Sequence, residues 1–576
     1  MVEYRVMSNS SAVAQQIARS LVAAGVREVV LSPGSRSAPL VYAFAPLAEA
    51  GVIRTHVRLD ERDAGFLALG LARGLRVRAA ESGGRGFPVA IVTTSGSAVA
   101  NLHPAVLEAS YGHLPLIAIT ADRPARLRGT GANQTIDDQA HVLSDVRSRF
   151  DVPAGAAVTT DGVKGTVAEA VARSTGAAVD DASSPSLPGP VQLNVQFDTP
   201  LVPTADELEA WTAEIAEFGD ADAVREASAG SPAGDPTVDV TLTEGTVIVA
   251  GDAGGHSADS LRALAEERSL PVLAEPSSPL AFGAGASSTF VPAHAQVLSE
   301  RTDLAGAIRT VIVHGKPTLT RPVAALLADT SVSVRRVPDD IDAHVLTVTG
   351  QQRDGGAWVR DWVEAGNAAV GAVRDGQSAQ TARAITEHLA AQDITLFAAS
   401  SNTIRYLSGA VDVRARIHAS RGLAGIDGLV STATGLSLGL AEPVVLLIGD
   451  IAMLHDVGGL LAPTSEETGS VTIVVLNDDG GAIFSGLEHS QPHVAPYLER
   501  YFTVPHGRGF GDLAAAYGWD HAQVSTLEDF SAVFADTQAG SQSAGGHSGH
   551  GEHGEHSVRR TIIEVDLTSP PTDHDA

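Results

Sequence analysis

Short apolar runs alternate with helix-like, amphipathic stretches along most of the chain. Runs at 26–31, 89–93 and 116–120 are aliphatic and β-branched, and small or polar residues follow each of them. Continuous apolar runs of this length predict strands that are buried on both faces. Because helix-like segments separate the runs, they predict a parallel sheet with crossover helices, which closes with a strand at 190–197.

The same alternation predicts two further regions of this kind. One begins with the run at 245–250, and the other contains runs at 394–398, 444–448, 471–476 and 560–565. The fold class predicted is therefore α/β, with three doubly wound parallel-sheet domains over 1–200, 201–375 and 376–576. Residues 203–236, acidic and rich in Ala, Gly and Pro, predict a linker with one helix. The His-, Gly- and Ser-rich stretch at 540–557 predicts a flexible surface loop, with metal binding as the alternative.

Composition narrows the function classes. Of the 576 residues 44% are hydrophobic, enough for a large core, and the net charge of −29 opposes binding to nucleic acid or an anionic membrane. The lack of cysteine excludes disulfides, thiolate nucleophiles and Cys-ligated metals. With no signal-peptide pattern and no membrane-spanning run, we expect a cytoplasmic protein without stable membrane insertion. Since Lys164 and Lys316 are the only lysines, recognition of anions falls to arginine.

The sharpest chemical motif lies in the third region. One apolar run ends in Gly449-Asp450, and the next ends in Asn477-Asp478-Asp479-Gly480. Neighbouring parallel strands would bring these oxygen ligands to one sheet edge, where they suit Mg²⁺ bound to a diphosphate. Each half alone is typical of a turn with a helix-capping Asp, but the pair favours a diphosphate site.

With this pair the chain resembles the thiamine-diphosphate-dependent enzymes, whose motif is Gly-Asp followed by Asn-Asn. The resemblance implies thiamine diphosphate held through Mg²⁺ (or Mn²⁺) by Asp450, Asp478 and the Gly480 carbonyl. Asp478 stands where the family has Asn, and Asn477 is the alternative ligand if the register shifts by one. Further cofactor contacts are implied for Gly449, Ile451, Ala452, Ile426, Ile483 and Phe484.

A second feature is the acidic start of a helix-like segment after a short strand near residue 55. Asp60 is a candidate N-cap, with Glu61 and Asp63 in the first turn, where acids suit the helix dipole. The resemblance implies another role for Glu61, a hydrogen bond to the aminopyrimidine ring of the cofactor. That contact favours the ring tautomer which activates the coenzyme.

Loops at 32–40, 94–109, 120–124, 131–136 and 419–435 resemble the branch of this family that decarboxylates 2-oxoglutarate and joins it to isochorismate. Both substrates are dicarboxylates, which arginine binds in a bidentate manner. The resemblance implies a substrate pocket formed by Ser35, Arg36, Arg321, Ser401, Arg405 and Arg421. It places Gln134 with Glu61 and Arg36 at the reacting centre. For Arg321 a surface ion pair is an equally open interpretation.

The resemblance also implies a homodimer or homotetramer with active sites at the dimer interface, because Glu61 and Asp450 lie in different regions. Another thiamine-diphosphate 2-oxoacid decarboxylase or carboligase is an alternative that the Arg-bearing loops disfavour. A nucleotide-binding oxidoreductase is a second alternative, since residues 247–255 follow a strand but lack the full Gly-x-Gly-x-x-Gly order. A non-catalytic relative is a third, disfavoured by the presence of both acids.

Overall fold

The computed structural model describes residues 10–81, 86–155, 158–178, 186–215, 237–283, 287–352, 356–370, 376–544 and 560–568. In these ranges the strands form three parallel sheets and one parallel strand pair. The expected parallel-sheet α/β class is confirmed. Sheets of this kind need helices on both faces, which is why their strands read as unbroken apolar runs.

The first sheet has the strand order β2-β1-β3-β4-β6-β5. Its strands are β1 Glu28–Leu31, β2 Arg54–Val57, β3 Val89–Thr93, β4 Leu116–Asp122, β5 Arg149–Val152 and β6 Pro190–Gln196. The four central strands are fully buried, and they coincide with the predicted runs to within a few residues. The edge strand β5 was not predicted, because only its last residue is buried.

The middle sheet has the order β11-β10-β8-β9, and β7 pairs with β12 in a separate two-stranded sheet. The strands are β7 Thr237–Leu242, β8 Thr246–Ala250, β9 Val272–Ala274, β10 Thr310–His314, β11 Ser333–Arg336 and β12 Val345–Gly350. Of these strands only β8 was predicted. The short β9 and the exposed β11 and β12 carry no apolar run of their own, whereas β10 has a fully buried apolar run that was missed.

The third sheet has the order β14-β13-β15-β16-β18-β17. Its strands are β13 Thr395–Ala398, β14 Arg416–His418, β15 Val444–Gly449, β16 Val471–Asn477, β17 Asp520–Val524 and β18 Thr561–Asp566. Strands β15 and β16 are direct neighbours, with Gly449 opposite Leu476. The two motif loops therefore start side by side at the carboxyl edge, as the sequence predicted.

The crossover segments between strands contain the helices. The helices are α1 Ser10–Ala23, α2 Ala38–Glu49, α3 Glu61–Glu81, α4 Ser97–Asn101, α5 His103–Tyr111, α6 Thr160–Thr175, α7 Ala205–Ile215, α8 Asp259–Arg268, α9 His294–Glu300, α10 Thr302–Ala307, α11 Arg321–Ala328, α12 Ala357–Val370, α13 Gln377–Ala390, α14 Asn402–Tyr406, α15 Leu429–Leu440, α16 Asp450–His455, α17 Gly511–Tyr517 and α18 Leu527–Ala544. None of these described helices combines the length and apolar character that crossing a bilayer requires.

The predicted flexible loop at 540–557 is wrong at its start, where helix α18 continues. The low-complexity loop was predicted to begin at 540, but the helix continues to Ala544. The sequence of its last turn includes Ala and Gln, which are good helix formers, so the Ser and Gly residues there do not end the helix. Residues 545–557 of the predicted loop lie outside the described residues.

The chain forms two compact units. The first takes in the described residues of 1–231 together with 430–441 and 458–468, and the second takes in those of 232–429, 442–457 and 469–576. Most of α15 thus belongs to the first unit although it lies late in the sequence. Each predicted domain range contains one of the three large sheets, and the boundaries at 200 and 375 stay a prediction.

Within the first unit, α3 and α15 pack with their backbones in close contact. A Cβ added to Gly70 would lie 2.0 Å from the Thr432 carbonyl oxygen, and one added to Gly435 would lie 2.0 Å from the Leu67 carbonyl oxygen. No side chain fits at such distances, so glycine is required at these crossing points.

Gly435→Ala is therefore expected to lower the thermal unfolding midpoint, with an overpacking cost of roughly 1–3 kcal/mol. The matched control is Gly165→Ala in the exposed middle of α6, where an added Cβ meets nothing within 4 Å. That change is expected to be neutral or stabilising, because Ala is the better helix former. Equal midpoints for the two variants in scanning calorimetry would contradict the close packing.

Candidate active site

A cavity of about 170 Å³ opens at the carboxyl edge of the third sheet, in the second unit. It lies where β15 and β16 end, next to the start of α14. Its walls are formed by Ser400, Ser401, Asn402, Thr403, Tyr406, Ile426, Gly449, Asp450, Ile451, Ala452, Leu476, Asp478, Gly480, Gly481, Ala482, Ile483, Phe484 and Leu567. The structure thus brings together every residue that was predicted to contact the cofactor or metal from this part of the chain.

Asp450 is the first residue of α16 and is 2% exposed. Its Oδ1 accepts a hydrogen bond from the Ile451 amide at 2.7 Å, and its Oδ2 accepts one from the Gly480 amide at 2.7 Å. Burial raises the pKa of this carboxyl group, although these bonds oppose the rise. The bond to Gly480 ties the two motif loops together at the cavity.

Asp478 and Asn477 point in different directions. Asp478 lines the cavity, whereas the Asn477 amide donates to Glu564 Oε1 at 2.7 Å and to the Arg508 carbonyl at 3.1 Å. Burial and the nearby charge of Asp450 raise the pKa of Asp478 to about 7. Of the two alternatives for the second metal ligand, the geometry favours Asp478.

The donor set fits a hard divalent cation. Two carboxylates face one buried space, where their mutual repulsion favours a positive partner. In the described ranges, no group of three or more His, Asp or Glu side chains is arranged to hold a metal. A Mg²⁺ ion here would therefore combine Asp450 and Asp478 with the Gly480 carbonyl, diphosphate oxygens and water. Such a mixed shell is usual for Mg²⁺.

Two predicted substrate arginines lie in the same unit as this cavity. Arg405 donates from Nη1 to the Ser401 carbonyl at 2.7 Å, and Arg421 donates from Nη2 to Thr318 Oγ1 at 2.9 Å. Burial and the positive charge of Arg421 lower the pKa of Arg405. Two guanidinium groups whose charges interact suit a ligand with carboxylates. Ser401 itself has a φ of +79° and lines the cavity.

Arg321 is different, because its side chain is 82% exposed. It forms an ion pair with Glu488 at 3.3 Å. The structure thus shows Arg321 in the surface ion pair that the sequence left open. Exposed pairs of this kind contribute little to stability, so the side chain can be redirected towards an anion at small cost.

In the first unit, the loops after β1, β3 and β4 bring Arg36, Arg123 and Gln134 together. Arg36 donates to the Phe197 carbonyl at 2.7 Å, and burial together with the charge of Arg123 lowers its pKa. Gln134 has a φ of +54° and donates from Nε2 to the Ser95 carbonyl at 2.9 Å, while Arg123 binds its carbonyl at 2.7 Å.

One polar atom in the cluster of Arg36, Arg123 and Gln134 makes no hydrogen bond to any described residue. In the described part of the chain, Arg36 Nε is buried and has no hydrogen-bond partner. Ser35, next to it, is exposed to solvent. The cluster therefore brings positive charge to the sheet edge, which suits an anionic ligand.

Glu61 begins α3 at the end of the loop after β2. Asp60 Oδ1 accepts a hydrogen bond from the Arg62 amide at 2.8 Å, which is the N-cap contact that the sequence predicted. Glu61 is half-buried, and none of the described residues hydrogen-bonds its carboxylate. Leu59, two residues earlier, is 63% exposed. An acid without a partner beside an exposed leucine is available to a ligand or to another chain.

Comparison with known proteins relates these sites to a family. Residues 11–142 match the description "Thiamine pyrophosphate enzyme, N-terminal TPP binding domain", and residues 403–544 match the corresponding C-terminal TPP binding domain. The 2-succinyl-5-enolpyruvyl-6-hydroxy-3-cyclohexene-1-carboxylate synthase of Paenarthrobacter aurescens is 40% identical over 89% of this chain and 89% of its own length. The synthase of the same name from Arthrobacter sp. FB24 is 40% identical over 91% of this chain and 86% of its own length. The chain belongs to this family of synthases.

Membership makes the chain an enzyme that depends on thiamine diphosphate, as the sequence predicted. A solved structure, the benzoylformate decarboxylase from Polynucleobacter necessarius, covers 98% of this chain and is itself covered completely. Its TM-score is 0.61 at 16% identity, a likeness that shows the fold alone. The predicted fold class and family are thus confirmed, while the individual site residues stay predictions.

Sequence reasoning missed His506, which contacts the cavity-lining Asp450. His506 Nε2 lies 2.9 Å from Asp450 Oδ2, and the Asp479 carboxylate accepts from the His506 and Gly507 amides at 3.0 and 2.6 Å. Asp479 thus holds the histidine's loop, and His506 in turn contacts a predicted metal ligand. No spacing pattern links residue 506 to the motif, so the contact is visible only in the fold.

Proposed function

We propose that this enzyme decarboxylates 2-oxoglutarate and adds the remaining four-carbon unit to isochorismate, giving the product for which its relatives are named. This is a transferase reaction of menaquinone biosynthesis that uses thiamine diphosphate and Mg²⁺ (or Mn²⁺). The observation that carries the proposal is the pair of arginines, Arg405 and Arg421, on the unit that holds the acid-lined cavity. Paired guanidinium groups select dicarboxylates over the apolar 2-oxo acids of related decarboxylases.

Bound thiamine diphosphate supplies the electron sink that a 2-oxo acid needs in order to lose CO₂. Asp450, Asp478 and the Gly480 carbonyl would hold the metal and with it the cofactor, while the apolar side chains of Ile426, Ile483 and Phe484 keep water from the space beside them. Glu61 would bind the ring of the cofactor and hold a proton there at its carboxyl group. Arg36, Arg405 and Arg421 bind and orient the substrate carboxylates, which brings the reacting carbons together.

The proposal includes a homodimer or homotetramer. Glu61 belongs to the first unit of the chain and Asp450 to the second, and the family resemblance implies that they meet across two chains. The exposed Leu59 beside Glu61 supports an interface there, because a large apolar side chain gains free energy when a partner covers it. Sedimentation of the full chain, with and without cofactor, tests this part.

An omission assay tests the reaction. The purified enzyme is mixed with thiamine diphosphate, Mg²⁺, 2-oxoglutarate and isochorismate, and the loss of isochorismate absorbance is followed as each component is left out in turn. We expect the loss to require all four components. Release of CO₂ from pyruvate or another 2-oxo acid without consumption of isochorismate would favour a different decarboxylase or carboligase instead.

Replacement of the paired arginines is expected to affect substrates and spare the cofactor. Arg421→Lys and Arg405→Lys should each lower kcat/KM by about 10- to 100-fold, because a bidentate charged hydrogen bond contributes roughly 1.5–3 kcal/mol. The thermal shift produced by cofactor and Mg²⁺ should not change. The control is Arg414→Lys, an exposed arginine 3.8 Å from Asp393, which should match the wild type. Unaltered kinetics in the first two variants would remove these arginines from the substrate site.

A further inference from the structure

Glu275 is a deeply buried acid that the proposed reaction does not use. It follows β9 at the carboxyl edge of the middle sheet and is 2% exposed. Its Oε1 accepts a hydrogen bond from the Leu319 amide at 2.6 Å. In the part of the chain that the structure describes, its Oε2 is buried without a hydrogen-bond partner.

The loop that Glu275 binds is also the loop that contacts Arg421. Thr318, next to Leu319, accepts from Arg421 Nη2 through its hydroxyl group at 2.9 Å. Lys316, in the same loop, donates from Nζ to the carbonyl of Gly422. The loop after β10 therefore contacts two successive residues of the arginine-bearing loop.

This loop has little freedom to move. Lys316 is bridged to Asp252, with its amide donating to the Asp252 carbonyl at 2.8 Å. A Cβ added to Gly251 would lie 2.2 Å from the Lys316 carbonyl carbon, so the two loops of the middle sheet are in direct backbone contact. Because this loop is closely packed, a change at Glu275, which binds it, should alter the position of Arg421, which it contacts.

The charges of Glu275 and Arg421 also interact. Burial raises the pKa of Glu275 to about 7, and the positive charge of Arg421 opposes that rise. The ionised acid therefore destabilises the fold at neutral pH while it attracts the guanidinium group. Arg421 is 7% exposed, and among the described residues its Nε has no hydrogen-bond partner. The charge of Glu275 thus attracts a buried arginine that donates a hydrogen bond to Thr318.

We propose that Glu275 is a positioning residue for Arg421: its carboxylate fixes the 316–319 loop and attracts the guanidinium group, so that Arg421 is held ready for a substrate carboxylate. The middle sheet then contributes to substrate binding through the carboxyl edge of β9 and β10. This inference rests on the proposed function of Arg421.

The test is the isosteric change Glu275→Gln, which keeps an oxygen for the Leu319 amide and removes the charge. We expect a thermal midpoint equal to or above that of the wild type, and an unchanged thermal shift with thiamine diphosphate and Mg²⁺. The KM for the dicarboxylate that Arg421 binds should rise about tenfold, which corresponds to a typical coupling between neighbouring groups. A purely structural role would lower the midpoint and leave that KM unchanged.

A control in the same part of the fold is Trp358→Phe. Trp358 donates from Nε1 to the Thr246 carbonyl at 2.9 Å, at the amino end of β8 and thus at the opposite edge of the middle sheet. Its loss should lower the midpoint without changing either KM. A raised KM in this control would mean that any disturbance of the middle sheet weakens substrate binding. That result would overturn a specific role for Glu275.

A double-mutant cycle separates this inference from the proposed function. In an Arg421→Lys background, Glu275→Gln should have little further effect on KM, because the group that it positions is gone. If the tenfold effect persists there, or is absent in the single variant, the positioning role is wrong. If Arg421→Lys alone leaves both KM values unchanged, the substrate role of Arg421 fails, and Glu275 then has nothing to position.

Discussion

Glu61→Gln is expected to bind thiamine diphosphate and Mg²⁺ yet lose at least about 100-fold in kcat, the usual range for removal of a positioned acid or base. The glutamine keeps the size of the side chain and the start of α3, but it cannot hold a proton against the cofactor ring as a carboxyl group does. Because no described residue hydrogen-bonds the Glu61 carboxylate, the change should not disturb the fold. Steady-state kinetics and cofactor titration by fluorescence measure the two effects separately.

The matched control is Asp60→Asn. Asp60 is the neighbouring acid and caps α3 through the Arg62 amide at 2.8 Å, a contact that Asn makes equally well. This variant should keep wild-type turnover. A Glu61→Gln enzyme with full kcat would refute the role of Glu61, and an equal loss in both variants would indicate a general effect of charge at the helix start.

The sequence predicted the parts of the fold that depend on local pattern. Strands β3, β15 and β16 are fully buried along almost their whole length, so each carries an unbroken apolar run. The position of the cavity was predicted from the same runs, because Gly449-Asp450 and Asp478 stand at the carboxyl ends of adjacent strands. Edge strands such as β17 escaped prediction because only one of its five residues is buried.

Contacts between distant segments leave no such pattern in the sequence and could not be predicted from it. His506 reaches Asp450 from a loop that lies far along the chain, and Glu275 reaches the Arg421 loop through Leu319 and Thr318. The packing of α3 against α15 likewise depends on glycines that are more than 350 positions apart, Gly70 and Gly435. Hydrogen bonds and close approaches of this kind are set by the assembled sheets, and periodicity along one segment does not encode them.

Asp450→Ala is expected to abolish the stabilisation that thiamine diphosphate and Mg²⁺ give to the folded enzyme. A ligand that binds only the native state raises its stability by about 2.7 kcal/mol at 100 times its Kd, and this gain disappears when binding fails. Asp450 supplies a buried carboxylate at the cavity and accepts a hydrogen bond from the Gly480 amide at 2.7 Å, so alanine removes both the proposed metal ligand and the link between the motif loops. Differential scanning fluorimetry with Mg²⁺ alone, cofactor alone and both together measures the effect.

Two further variants separate the loss of the metal ligand from a disturbed loop. Asp450→Asn keeps one oxygen, for either the Gly480 or the Ile451 amide, and removes the charge, so its apo midpoint should fall less than that of Asp450→Ala while its thermal shift is still reduced. Asp479→Asn changes the acid next to Asp478 in the other motif loop. Its carboxylate binds the His506 and Gly507 amides and does not line the cavity, so its shift should be that of the wild type. An unchanged shift in Asp450→Ala would exclude this residue from the metal site. Burial and the charge of Asp450 raise the pKa of Asp478 to about 7, so Asp478 loses its proton as the pH rises through neutrality, and a cation that binds the ionised carboxylate should bind more tightly as the pH increases.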